Sequence, residues 1–164
     1  MPNTMRFTAA IFIACTAVAG GFGIARARQV PGSNETACVS NLKQVSTALL
    51  MYMQDYDEKL PPMQSMAGTQ KRLQPYVKNM QVFICPATTK LYNANPALGG
   101  KALAIFAEPP KAVTFYDAAQ HADGKYAVAY LDGHVIRESK VPGLMPKLIG
   151  KKAPSPSKNP RVRR

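Results

Sequence analysis

The 164-residue chain has only two histidines, and it has no Gly-x-Ser-x-Gly elbow, no phosphate-cradling Walker loop and no Cys-x-x-Cys pair. These absences remove the common nucleophile elbow, the nucleotide-phosphate cradle and the thioredoxin-type redox motif. No nucleophile–base pair can be argued, so the sequence does not read as an enzyme. Acidic residues are scarce as well, nine against 21 basic ones, for a formal charge of +12. That imbalance points first to nucleic acid, but its distribution points away. Residues 1–28 carry three basic side chains and no acid, and residues 147–164 carry seven basic ones. The body between them, 29–146, holds eleven basic and nine acidic groups. A nucleic-acid domain carries a basic stripe with interleaved aromatics on its folded surface. Nucleic acid is therefore not an expected partner.

Long uncharged runs are also absent, with one exception. Residues 7–25, FTAAIFIACTAVAGGFGIA, are 19 residues without a charge, bounded by Arg6 and by Arg26 and Arg28. As a helix the run would be about 29 Å long, close to the thickness of a bilayer's hydrocarbon core. It reads as a membrane anchor or as a signal segment, with small residues for cleavage at Ala17-Val18-Ala19 and Ala25-Arg26-Ala27. Either reading sends the chain to the cell envelope. It is expected to be exported, either anchored by the segment or secreted if the segment is cleaved. The expected division is an anchor or signal segment over 1–28, a globular head over 29–146, and a basic, Pro-rich, disordered tail over 147–164.

Within the head, Pro31-Gly32 stops any arriving helix, and Ser33 or Asn34 offers an N-cap with Glu35 in the first turn. Cys38, Leu42, Val45, Leu49, Tyr52 and Tyr56 then recur at spacings of 4, 3, 4, 3 and 4. This stripe predicts a helix over 35–58, closed by Pro61-Pro62. Residues 71–80 read as a short turn of helix or a loop, 81–85 (QVFIC) as a short strand, and 86–101 as a loop. Residues 112–117 (AVTFYD) read as a strand, and 125–139 (KYAVAYLDGHVIRES) as a hairpin turning through a type I′ Asp132-Gly133. The fold class is α+β. The Leu42, Val45, Leu49 and Tyr52 stripe is expected to pack on the alternating Tyr126, Val128 and Tyr130 face of a small antiparallel sheet, together with Val113 and Phe115.

Three cysteines are present. Cys15 lies in the apolar segment, Cys38 near the start of the helix, and Cys85 just before Pro86. Export makes an oxidised pair possible, so a Cys38–Cys85 disulfide is expected. The competing reading is two small buried apolar residues, a common role for free cysteine. Asp117, His121, Asp123, Asp132 and His134 gather around the sheet's connections, and histidine with carboxylate can bind a divalent metal. Turn chemistry accounts for most of them: Asp123-Gly124 and Asp132-Gly133 are turn formers, and His134 opens a strand. Asp55, Asp57 and Glu58 form a second acidic group that reads as a solvated helix end. No resident metal or cofactor is expected.

Four strings carry a family resemblance. They are CVSNLKQVSTALLMYMQDYDEKLPP (38–62), LQPYVKNMQVFICP (73–86), FYDA (115–118) and HADGKYAVAYLDGHV (121–135). On these the chain resembles prepilin-like proteins related to the major pseudopilin of type II secretion, and more closely the subgroup with a C-terminal His-x9-Asp-Gly motif. Here His121 and Asp132 are separated by ten residues rather than nine. The resemblance implies a pilin-like fold, with an apolar helix in the inner membrane, a head outside, and helix packing against other pseudopilin subunits. It implies a structural subunit of a type II secretion or type IV pilus-like assembly, processed before Phe7. The N-terminus departs from the family pattern. Arg6 stands where a Gly precedes the cleavage point, and Ile11 stands where a Glu pairs with a neighbour's N-terminal amine in the bilayer. The alternative reading is an exported binding module that keeps the pilin-like head without polymerising, with a metal as one ligand to consider.

Overall fold

The computed structural model describes residues 33–149. The apolar segment, Cys15, Phe7 with its processing point, and the chain beyond 149 lie outside the described residues. No described helix is long and apolar enough to cross a membrane.

Helix α1 spans Ser33–Asp55, with Glu35 in its first turn facing the positive end of the helix dipole. Cys38, Leu42, Val45, Ala48, Leu49, Tyr52 and Met53 are buried, which leaves Lys43, Gln44, Thr47 and Met51 to solvent. The helix stops short of residue 58. Asp57 and Glu58 adopt left-handed φ of 52° and 57°, and the Glu58 N–H donates to the Met53 carbonyl at 2.8 Å. That six-to-one bond is the Schellman closure, which satisfies a carbonyl the helix would otherwise leave open. Tyr56, last in the stripe, is half exposed and stacks on Tyr52 with ring centroids 4.1 Å apart.

Four strands form one antiparallel sheet in chain order: β1 (Asn93–Ala94), β2 (Val113–Tyr116), β3 (Tyr126–Tyr130) and β4 (Val135–Glu138). The sheet lies against α1, chiefly through β3. The class is therefore α+β, a helix on a small antiparallel sheet. Phe115 packs with the α1 stripe as expected, but the face that β3 turns to the helix is the opposite of the expected one. Ala127, Ala129, Leu131 and Phe115 belong to the core under α1, whereas Val128 and Tyr130 join Val113, with Tyr116, Tyr126 and Leu144 beside them, in a separate cluster. The reason is size. The β3 alanines let the helix approach the sheet closely, with Phe115 and Leu131 filling the space beside them, while β3 keeps Val128 and Tyr130 for the far side. An irregularity in the β2–β3 register between Val113 and Phe115 lets the two point into different clusters despite their even spacing.

Other segments differ locally from the sequence reading. Residues 81–85 are not a strand: Met80–Phe83 is a 3-10 turn, and Ile84 makes only an isolated bridge to Leu91. The Asn79 side chain caps this turn by accepting from the Gln81 N–H at 2.9 Å, and Val82 and Phe83 are buried by it. A second helix, α2 (Met66–Leu73), starts ahead of the segment read as a turn or loop, capped by Ser65 accepting from the Gly68 N–H. The β3–β4 connection is not type I′, because Gly133 (φ 90°) has positive φ and Asp132 does not. Gly133 donates to the Tyr130 carbonyl at 2.9 Å and Tyr130 to that of His134 at 3.0 Å. This is a three-residue loop with glycine in the left-handed position.

The tail expected to be free from Lys147 is tied down at its start. Ala107 donates to the Lys147 carbonyl (3.0 Å) and Ile149 to that of Ile105 (2.7 Å). Just before it, the buried Asn95 amide donates to Val113 O at 2.8 Å and to Leu144 O at 2.7 Å, while its oxygen accepts from Ala97 N–H at 3.0 Å. One side chain thus fastens the C-terminal segment to the sheet.

Candidate functional site

The site forms where the start of α1 meets the loops at one end of the sheet. Cys38 sits on the buried side of α1, and Cys85 follows the 3-10 turn. They are joined in a disulfide with Cα atoms 5.0 Å apart, and neither is exposed. Nearby backbone groups and the Tyr92 side chain hold both ends. The Ala87 N–H donates to Cys38 Sγ at 3.4 Å, the Tyr92 hydroxyl donates to the Cys38 carbonyl at 3.1 Å, and the Cys85 N–H donates to the Lys90 carbonyl at 2.9 Å. Burial, and secondarily the charge of Asp117, push the Tyr92 phenol well above its ordinary range.

Asp117 comes directly after β2, and its backbone N–H donates to Ala127 O at 3.0 Å while its Oδ2 accepts from the Ala127 N–H. His121 lies in the β2–β3 connection, in a turn closed by its N–H to Lys125 O (2.8 Å) and by Gly124 N–H to its own carbonyl (3.0 Å). Gly124, at φ 76°, supplies the left-handed residue this turn requires. Both side chains are buried, and His121 Nε2 is 2.8 Å from Asp117 Oδ2 and 3.3 Å from Cys85 Sγ. Burial pushes the Asp117 carboxyl above the usual carboxylate range, opposed by the Ala127 amide and by the His121 and Arg137 charges. The far atoms, Asp117 Oδ1 and His121 Nδ1, are buried with no hydrogen-bond partner.

Two of the five candidate ligands therefore come together, and their companions are the cysteines. One donor atom from each of Cys38, Cys85, Asp117 and His121 lies within 4.8 Å of all the others. The remaining three are elsewhere and engaged. Asp123 is exposed, pairs with Arg137 and caps the Lys125 N–H at 3.2 Å. Asp132 pairs with His134 and accepts its N–H at 3.1 Å, and the His134 ring stacks on Tyr130 at 4.3 Å. These contacts are turn and surface chemistry. In the other acidic group, Asp55 accepts from the Tyr76 hydroxyl at 2.6 Å, which pushes that phenol up to about 12, and Asp57 and Glu58 are exposed.

The arrangement is not a catalytic relay. In a thiol–imidazole–carboxylate triad the acid holds one ring nitrogen and the nucleophile uses the other. Here the carboxylate and the sulfur both face Nε2, and Nδ1 faces neither. All four side chains are also sealed from solvent. Such a centre can staple the helix to the loops through the S–S bond, or hold something small at the point where the donor atoms converge. The sequence reading treats the cysteines and the His–carboxylate group as separate. The missing signal is spatial: Cys85 and His121 meet only because both loops end beneath the first turns of α1. No family model matches this chain, and neither does any curated protein or solved structure.

Proposed function

We propose that the chain is an envelope-anchored, pilin-like structural subunit of a type II secretion or type IV pilus-like assembly. Its partners are the inner membrane and other pseudopilin-like subunits, and its role is not enzymatic. The observation that carries this reading is the order of parts. A 19-residue uncharged segment precedes a 23-residue helix, and one side of that helix is buried on a small antiparallel sheet. The opposite side of α1, with Lys43, Gln44, Thr47 and Met51, is left for solvent or for neighbouring helices. A second reading, an exported module with the same head that does not polymerise, is favoured by Arg6, Ile11 and Pro31-Gly32.

Intact mass of the chain recovered from membranes separates the two. A mature protein beginning at an N-methylated Phe7 is the expected result for the assembly subunit. A start near Gly20 or Arg28 selects the secreted module, and a retained Met1 selects an anchored head without prepilin processing. Alkaline carbonate fractionation checks the shared premise, since full-length protein in the soluble cytoplasm would remove both readings.

A further inference from the structure

We propose that Cys38, Cys85, Asp117 and His121 form a buried binding site for a thiophilic divalent cation, Zn2+ by donor type, which becomes available when the disulfide is reduced. Two sulfurs, one imidazole and one carboxylate match the soft-to-borderline donors that select zinc, whereas magnesium and calcium take oxygen alone. Tetrahedral zinc with bonds of about 2.0–2.3 Å sets its donor atoms roughly 3.3–3.8 Å apart. The four donor atoms already lie within 4.8 Å of one another, with the Nε2–Oδ2 and Nε2–Sγ distances at 2.8 and 3.3 Å. To reach that spacing the two sulfurs, held by Cα atoms 5.0 Å apart, must separate, the Nε2–Oδ2 pair must open slightly, and any pair near the 4.8 Å limit must close.

The surroundings suit a closed structural site. The Ala87 N–H aimed at Cys38 Sγ and the Ala127 N–H on Asp117 Oδ2 are donors of the kind that steady thiolate and carboxylate ligands from the second layer. The shared approach to Nε2, which argues against a relay, is what convergence on one ion requires.

The chemistry balances in two steps. A dithiol reductant transfers two electrons and two protons to the S–S bond, giving two cysteine thiols and leaving as its own disulfide. The cation then binds both sulfurs, which release their two protons, while the imidazole hydrogen moves from Nε2 to Nδ1 so that Nε2 can ligate. Bridge and metal are thus alternative occupants of one site. This inference is independent of whether the chain polymerises.

The test uses the full chain, reduced with a phosphine, freed of reductant without oxygen, and titrated with Co2+ and then Zn2+. The expected result is one Co2+ per chain with the visible absorption and sulfur charge-transfer bands of a tetrahedral thiolate centre, displaced by Zn2+ and absent from the oxidised chain. His121→Gln and Asp117→Asn should each weaken binding tenfold or more, whereas the double variant Asp132→Asn/His134→Gln should bind as wild type does. If reduction unfolds the chain, Zn2+ should restore its circular dichroism. A reduced chain that takes up no tetrahedral Co2+, or that stays unfolded with Zn2+, overturns the proposal. Should either ligand variant fail to fold, X-ray absorption of the zinc-loaded wild type decides: two sulfur and two nitrogen or oxygen neighbours support the site, and any other set rejects it.

Discussion

Replacing Leu49 by alanine is expected to destabilise the head by about 2–5 kcal/mol, the range for truncating a buried leucine. Leu49 is 1% exposed, in the C-terminal third of α1, and shares its core with Ala127, Ala129, Leu131 and Phe115. Ala127 and Ala129 cannot reach into the vacated space, so filling it would require Leu131 or Phe115 to leave its packed position. For a head of this size the loss corresponds to a fall of roughly 10 °C or more in the thermal midpoint. Gln44→Ala, on the exposed side of the same helix, should change stability by no more than about 0.5 kcal/mol. Thermal unfolding of the full chain in detergent, followed by far-UV circular dichroism, checks both variants together. Equal midpoints for Leu49→Ala and wild type would mean that this side of α1 does not pack on the sheet in solution.

Removing the disulfide is the second large effect. The bridge joins residues 47 apart, and the chain-entropy model gives ~4 kcal/mol for closing a loop of that length. Both cysteines are fully buried, so Cys38→Ala/Cys85→Ala frees the unfolded chain and also removes two packed sulfurs from the core. The variant should unfold more than roughly 10 °C below the oxidised wild type when both are held in a chelator, which keeps any metal from substituting for the bond. Reduced wild type in the same chelator should fall by a similar amount. Near-coincident midpoints for all three would show that the loop is already closed in the unfolded ensemble by other contacts.

How far the fold can be read from sequence depends on which physical signal each element leaves. The stripe from Cys38 to Tyr52 is legible because a helix repeats its buried face every three or four residues, and nothing in the segment contradicts that period. The hairpin is legible from Asp132-Gly133 between two β-rich runs, though not the number of residues in its loop. The face of β3 that α1 covers is not legible from alternation, because both faces are apolar. The pattern Tyr, Ala, Val, Ala, Tyr invites burial of the large residues, while the helix demands the small ones. Helix α2 hides because MAGTQKRL has little apolar content. Its signals are the Ser65 cap and the two cations, Lys71 and Arg72, in its last turn. In the site, Asp117 and His121 stand among five similar candidates, and only the three-dimensional path of two loops selects them and sets them beside the cysteines.

The outer face of the sheet has a consequence for the order of synthesis. Tyr130 and Val128 are covered there with help from Leu144, which the Asn95 amide holds through its carbonyl. A chain emerging from its N-terminus releases α1, the site and the β3–β4 hairpin before Leu144. During that interval a tyrosine-rich surface faces water, and one of Asn95's two amide hydrogen bonds to carbonyls cannot form. A released chain truncated after residue 140 should therefore be cut by protease faster than the full chain, and equal rates would argue against the idea. Sealing of the outer face then waits for Leu144, so two chains held close together can meet through unfinished sheets before either has covered its own.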